Sequence, residues 1–251
     1  MNMGTTLQYW RIICVAAMIS AAVIPADWHG CSGAVAHAAT DIQGHKGQSL
    51  PAAPGKTKPV PLQAQLEALA GSAEDIYDLA KANKWIKIGK KLDELKKAEH
   101  DLKYDQNEEG SFFSVRLRSA ISDLDHAVSL KNRKETMRLA NKITLLEAAM
   151  LGPLKPAVPT NVRLLDYCGR ELEIWSEEKN TDKLSNIVVR MHLLWQSLMP
   201  QFSDHGGGAR ELRKFSEIMK RLETAKTPEE YGRLARQVLD EMDSIEKVFK
   251  R

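Results

Sequence analysis

Four turn-like sites recur along this chain at nearly constant spacing: Ala82-Asn83-Lys84, Lys131-Asn132-Arg133, Lys179-Asn180-Thr181 and Lys226-Thr227-Pro228. From Asn83 to Asn132, Asn180 and Thr227 the steps are 49, 48 and 47 residues. Each site lies between two stretches with helical apolar periodicity. A fixed period of this length marks a chain built from repeated helical hairpins. The repeat is clearest between the second and third hairpins, where Ile143, Leu145, Leu146, Met150 and Leu151 return 48 residues later as Met191, Leu193, Leu194, Leu198 and Met199. The first and fourth hairpins fit the period by turn position and apolar pattern, hardly by residue identity.

Apolar residues fall on the i, i+3, i+4, i+7 template in eight stretches. The first is Leu62, Leu66, Leu69, Ala73 and Ile76; the second is Trp85, Ile88, Leu92, Leu95 and Leu102, broken only by Glu99. The last runs Tyr231, Leu234, Val238, Met242, Ile245 and Phe249. No stretch alternates in the manner of a strand. Thr227-Pro228-Glu229-Glu230 reads as a capping box with proline at the first helical position. Asn132 with Glu135 reads similarly, and Gly152-Pro153 is a stop signal. The expected fold is all-α: four antiparallel hairpins, eight helices of about 18–22 residues. Pro153, Pro156 and Pro159 form a stiff connector in the middle. The hairpins therefore form either two four-helix halves, 62–152 and 160–251, or one short α-solenoid.

Residues 1–38 read as a secretory signal. Arg11 gives a positive start, Ile12 to Ile24 is an apolar run, and Ala36-His37-Ala38 offers small residues for cleavage. The run is shorter than the ~20 residues a bilayer span needs. Cys31 follows Trp28-His29-Gly30, a poor match to a lipid-attachment motif, so a lipoprotein or an uncleaved anchor is the lesser reading. Residues 39–61 are rich in Pro, Gly, Ala, Gln and Lys and read as a disordered tether. The expectation is an exported, periplasmic protein. Loss of the signal leaves Cys168 alone and excludes an intrachain disulfide. A net charge of +3 is too mild to imply nucleic acid.

The densest mixture of aromatic and charged groups is Asp166-Tyr167-Cys168-Gly169-Arg170-Glu171-Leu172-Glu173-Ile174-Trp175. Asp166 and Arg170 pair at i, i+4 on a helix. Gly169 weakens the helix and suits a place where a second helix or a ligand comes close. Asp166, Tyr167, Arg170, Glu171 and Trp175 are the candidate ligand or partner contacts, in a ligand pocket or at an interface between the halves; the alternative is packing between helices with local ion pairs. A second candidate is the basic face Lys84, Trp85, Lys87 and Lys91, which fits an acidic partner or peripheral contact with an anionic membrane surface. A solvated helix flank explains the same pattern.

No His-Glu-x-x-His, Gly-x-Ser-x-Gly, dinucleotide or phosphate-loop motif is present, nor a Cys-x-x-Cys-His haem site. Asp204-His205-Gly206-Gly207-Gly208 reads as a connecting loop. The sequence therefore points to a non-enzymatic binding or scaffold protein without a cofactor, acting on a protein or small-molecule ligand. The alternative is a metal- or haem-binding bundle. Its ligands would come from Asp123, His126, Met191 and His192, since Asp123-x-x-His126 has the carboxylate–histidine spacing of di-iron bundles and Met191-His192 offers soft and imidazole donors.

Overall fold

The computed structural model of the chain describes residues 60–102, 108–205 and 208–250; side chains at 108–111 and 203–205 are not described. The signal reading of 1–38, nearly all of the tether and most of the acidic stretch at 105–109 lie outside the described residues. What is described is helical throughout, with eight α-helices and no strand. They are α1 (Leu62–Lys81), α2 (Trp85–Asp101), α3 (Glu108–Ser129), α4 (Arg133–Leu151), α5 (Thr160–Glu177), α6 (Thr181–Leu198), α7 (Ala209–Thr224) and α8 (Pro228–Phe249). Short 3-10 turns follow α4 at Gly152–Leu154 and α6 at Met199–His205. Among the described residues no helix is long and apolar enough to cross a membrane.

The repeat has a structural register tighter than the asparagines indicate. Non-glycine residues with positive φ occupy Asn83, Lys131 and Lys179, each 48 residues from the next. The same three hydrogen bonds close each turn. The amides of Ala82, Leu130 and Glu178 donate to Asp78, His126 and Ile174; those of Asn83, Lys131 and Lys179 donate to Ala80, Val128 and Ser176. Those of Lys84, Asn132 and Asn180 reach back to the carbonyls of Leu79, Ala127 and Trp175. This is a helix-terminating turn in which a left-handed residue lets orphan carbonyls find donors. Asn83 thus matches Lys131 and Lys179, while Asn132 and Asn180 are the N-caps of α4 and α6, accepting from Glu135 N and Lys183 N. The fourth turn is different: Thr227 and Glu230 form the reciprocal capping box read from the sequence. At Asn132 the box is only half made: the Asn132 amide is taken by the Ala127 carbonyl, and the Glu135 carboxylate accepts from Arg138 at 2.6 Å.

Core positions follow the same register. Leu69, Leu117 and Leu165 are 0–1 % exposed, and so are Ile76, Leu124 and Leu172. The buried apolar side chains fall into two clusters. One is built by α1–α4, the other by α5–α8 with Val158 and Phe202 from the connecting segments. Of the buried side chains only Ile174 of α5 enters the first and only Ala148 of α4 the second, with half-buried Leu145 of α4 packed against it. α1 packs on α2 and α4, α3 on α4, α5 on α6 and α8, and α7 on α8; α4 and α5 pack across the middle.

Gly169 marks the α5–α8 crossing. A Cβ there would lie 2.8 Å from Leu239 Cδ2 and 2.9 Å from Val238 Cγ1, so a helix, α8, is what comes close. Gly169→Val is expected to lose about 1–3 kcal/mol through overpacking, despite a better helix propensity. Urea unfolding reads this directly, and an unchanged midpoint would show that the crossing has slack.

Candidate functional site

α5 buries two opposite faces. Leu165, Cys168 and Leu172 enter the second core. The other face carries Arg163, Asp166, Arg170, Glu173 and Glu177 towards α1 and α4, and ion pairs take the place of apolar packing there. Arg170 is the centre of this seam. Its guanidinium donates to Asp166 at 2.5 Å, lies 3.5 Å from Glu74 of α1, and sits 5.7 Å from the centre of the Tyr77 ring. Tyr77, fully buried, donates its hydroxyl to Glu173 at 2.8 Å, and Lys81 pairs with the other oxygen of that carboxylate. Arg133 grips Glu177 through two hydrogen bonds of 2.9 and 3.0 Å. Lower down, Arg163 joins Glu67 at 3.1 Å and Glu147 at 3.5 Å.

The other predicted contacts lie on the flank of α5 that faces α4 and α6. Asn141 of α4 donates to the Tyr167 carbonyl and to Glu171; the second oxygen of Glu171 accepts from the Trp175 indole N–H at 2.8 Å. Trp175 lies near Arg138 and Lys183, and the Tyr167 ring near Arg190, at 5.1–5.6 Å. So the predicted residues form two groups: Asp166 and Arg170 meet on the α1 side of α5, while Tyr167, Glu171 and Trp175 gather on the side of α4 and α6, each engaged with a neighbouring side chain or backbone group. Tyr77, Glu74, Asn141, Glu147, Arg163 and Glu173 complete the set and were not singled out in the sequence. Glu147 stood beside the stripe of α4 in the place that Glu99 holds in α2, 48 residues earlier. That recurrence was the available signal.

Burial governs the protonation of the carboxylates here. Burial raises Glu147 to about 8, against the pull of Arg163. Burial likewise raises Glu74 to about 7, with Arg170 opposing. Asp166 is raised by burial too, although Arg170 faces it. Burial also pushes the Cys168 thiol up to about 12, so the thiolate that redox or metal chemistry needs is suppressed.

The remaining candidates lie elsewhere. Lys84 and Lys87 are exposed, Trp85 packs partly against the first core, and Lys91 is held by Asp75 and Glu94 at 3.0 and 2.8 Å. Asp123 and His126 are exposed on α3. Met191 is fully buried in the second core, whereas His192 faces outward with one ring nitrogen at Glu223 and the other at Gln196. Among the described residues no group of three or more His, Cys, Asp or Glu side chains is placed to hold a metal ion. Two surface clefts of about 230 and 270 Å³ are lined by Arg221, Glu230 and Arg233 and by Glu99, His100 and Arg118; neither includes a seam residue. Comparison with known proteins finds no matching family model, no matching curated protein and no matching solved structure.

Proposed function

We propose that this chain is a non-enzymatic helical scaffold, exported and acting by binding a protein or small ligand. We read its body as two four-helix halves, each closed by its first and last helix. The separate core clusters and the α1–α4 and α5–α8 pairings support that reading over a solenoid. The observation that carries the functional reading is that the predicted contacts are already occupied within the chain: Asp166 and Arg170 pair and face α1, and Glu171 and Trp175 pair and face α4. On this reading the stretch from Asp166 to Trp175 serves as the joint between the halves. A rigid body of this kind offers its outer surface to partners.

Native mass spectrometry with elemental analysis, on the processed chain recovered from the compartment to which it is exported, tests the reading. A mass equal to the polypeptide, alone or with a protein partner, is expected. A stoichiometric metal or haem would overturn it in favour of a cofactor bundle.

A further inference from the structure

The turn between α1 and α2 and the turn between α3 and α4 lie side by side. Arg133, the first residue of α4, donates to the carbonyl of Lys81, the last residue of α1. The two tips therefore form one end of the first half. Each carries a large aliphatic side chain in solvent: Ile86 is 84 % exposed and Leu130 is 64 % exposed. Nothing in the core calls for either. Ile86 turns outward while Ile88 fills the core position of the same helical turn, and Leu130 sits in the turn itself.

Lysines flank both. Lys84 and Lys87 stand on either side of Ile86; Lys131 and Lys134 follow Leu130, and all four are exposed. Among the described residues none of the four is paired with a carboxylate, whereas Lys81 and Lys91 nearby are held by Glu173 and by Asp75 and Glu94. The acids near the second tip are engaged by arginines: Glu135 by Arg138, and Glu177, whose charge Lys134 also feels, by two hydrogen bonds from Arg133. The end therefore combines protruding aliphatic groups with exposed ammonium groups that no carboxylate holds in a salt bridge. Aliphatic side chains of this size enter the headgroup and acyl boundary of a bilayer, and lysine stems let their charges rise to the phosphates.

We infer that the end formed by Lys84, Ile86, Lys87, Leu130, Lys131 and Lys134 is a docking surface for an anionic membrane. Charge complementarity selects this occupant: several lysines around an apolar centre gain from a dense sheet of phosphates, each adding to the attraction near such a surface. The inference deepens the scaffold reading by giving the scaffold something to stand on. The two fail separately. A bound cofactor would remove the scaffold reading and leave this surface as it is, while loss of membrane binding would leave a scaffold with other partners.

Sedimentation of the exported chain, without the apolar run at 12–24, with vesicles of phosphatidylcholine, with and without phosphatidylglycerol, tests the surface. Binding is expected to rise with phosphatidylglycerol and to fall with salt. In the variant K84E/K87E/K131E/K134E the phosphatidylglycerol-dependent increment should fall at least about tenfold. In I86S/L130S it should fall several-fold with the salt dependence kept. A control with the same charge change on the second half, R210E/R213E/R236E/K247E, should keep most of the increment. All altered side chains are exposed, and circular dichroism should show unchanged helicity. No increment in the parent chain, an increment that survives the tip reversal, or equal losses in tip and control variants would each overturn the inference.

Discussion

Arg170→Ala is expected to lower stability by about 3–5 kcal/mol at neutral pH, the range for removing one partner of a buried ion pair. The side chain is 11 % exposed and touches three things at once: Asp166 on its own helix, Glu74 on α1 and the face of Tyr77. Its loss would leave Asp166 and Glu74 facing each other without a cation. Either they stay ionised and repel, or they take up protons; both outcomes cost stability relative to the intact seam. Removing the charges together is a different case. Arg170→Met in a background of Glu74→Gln and Asp166→Asn should recover most of the loss, because a neutral group of similar volume has no unpaired partner left. Chemical denaturation of the two variants gives the answer. A single variant as stable as the parent would mean that the seam holds by shape and not by charge, and the joint would have to be sought in Ile174 and Ala148.

Much of the fold was legible because it depends on short-range rules. The eight helices came from apolar spacing, and their ends came from Thr227-Pro228, Asn132 and Gly152-Pro153, where one or two residues decide the local geometry. The helices of α2 and α7, 17 and 16 residues, are shorter than periodicity implied, since stripes carry no information about fraying ends. The register of the first turn was less legible. An asparagine suits both an N-cap and a left-handed turn position, so Asn83 was aligned with the cap residues Asn132 and Asn180, one place out of phase.

The candidate site was legible only as a concentration of unusual residues. Asp166 and Arg170 share a helix, so their pairing follows from spacing. Tyr77 with Glu173 and Asn141 with Glu171 are separated by 96 and 30 residues, and no local rule joins them. The two meanings offered for the stretch, ligand grip or helix joint, differ only in what faces it. That is a tertiary fact. Likewise Leu130 is an ordinary apolar residue in sequence and becomes informative only when no helix covers it.

The parent chain is expected to lose stability as pH rises from about 5 to 8, with Glu147 as the main cause. Its side chain is 1 % exposed, and one of its oxygens accepts no hydrogen bond. The cation facing it is Arg163 of α5 at 3.5 Å; Glu67 and Glu74 of α1 and Glu246 of α8 face it as like charges. The carboxyl therefore titrates near 8 in the fold against an ordinary 4.5. The folded state holds the proton more tightly than the unfolded chain. Stability from this group is complete below the ordinary value and is lost as pH climbs towards 8, by about 2–5 kcal/mol. Glu74 acts in the same direction, but its side chain is 39 % exposed and water screens most of its share. Glu177, lowered by its bonds to Arg133, acts oppositely and weakens the fold only as pH falls below the ordinary carboxylate range. Glu147→Gln should flatten the profile between pH 5 and 8, because an amide of the same shape keeps the buried group neutral throughout. Melting temperatures of parent and variant across that window are the measurement. Parallel profiles would place the titration elsewhere; a parent chain that is flat on its own would mean that Arg163 holds Glu147 ionised and that the seam is a true ion pair at every pH of that window.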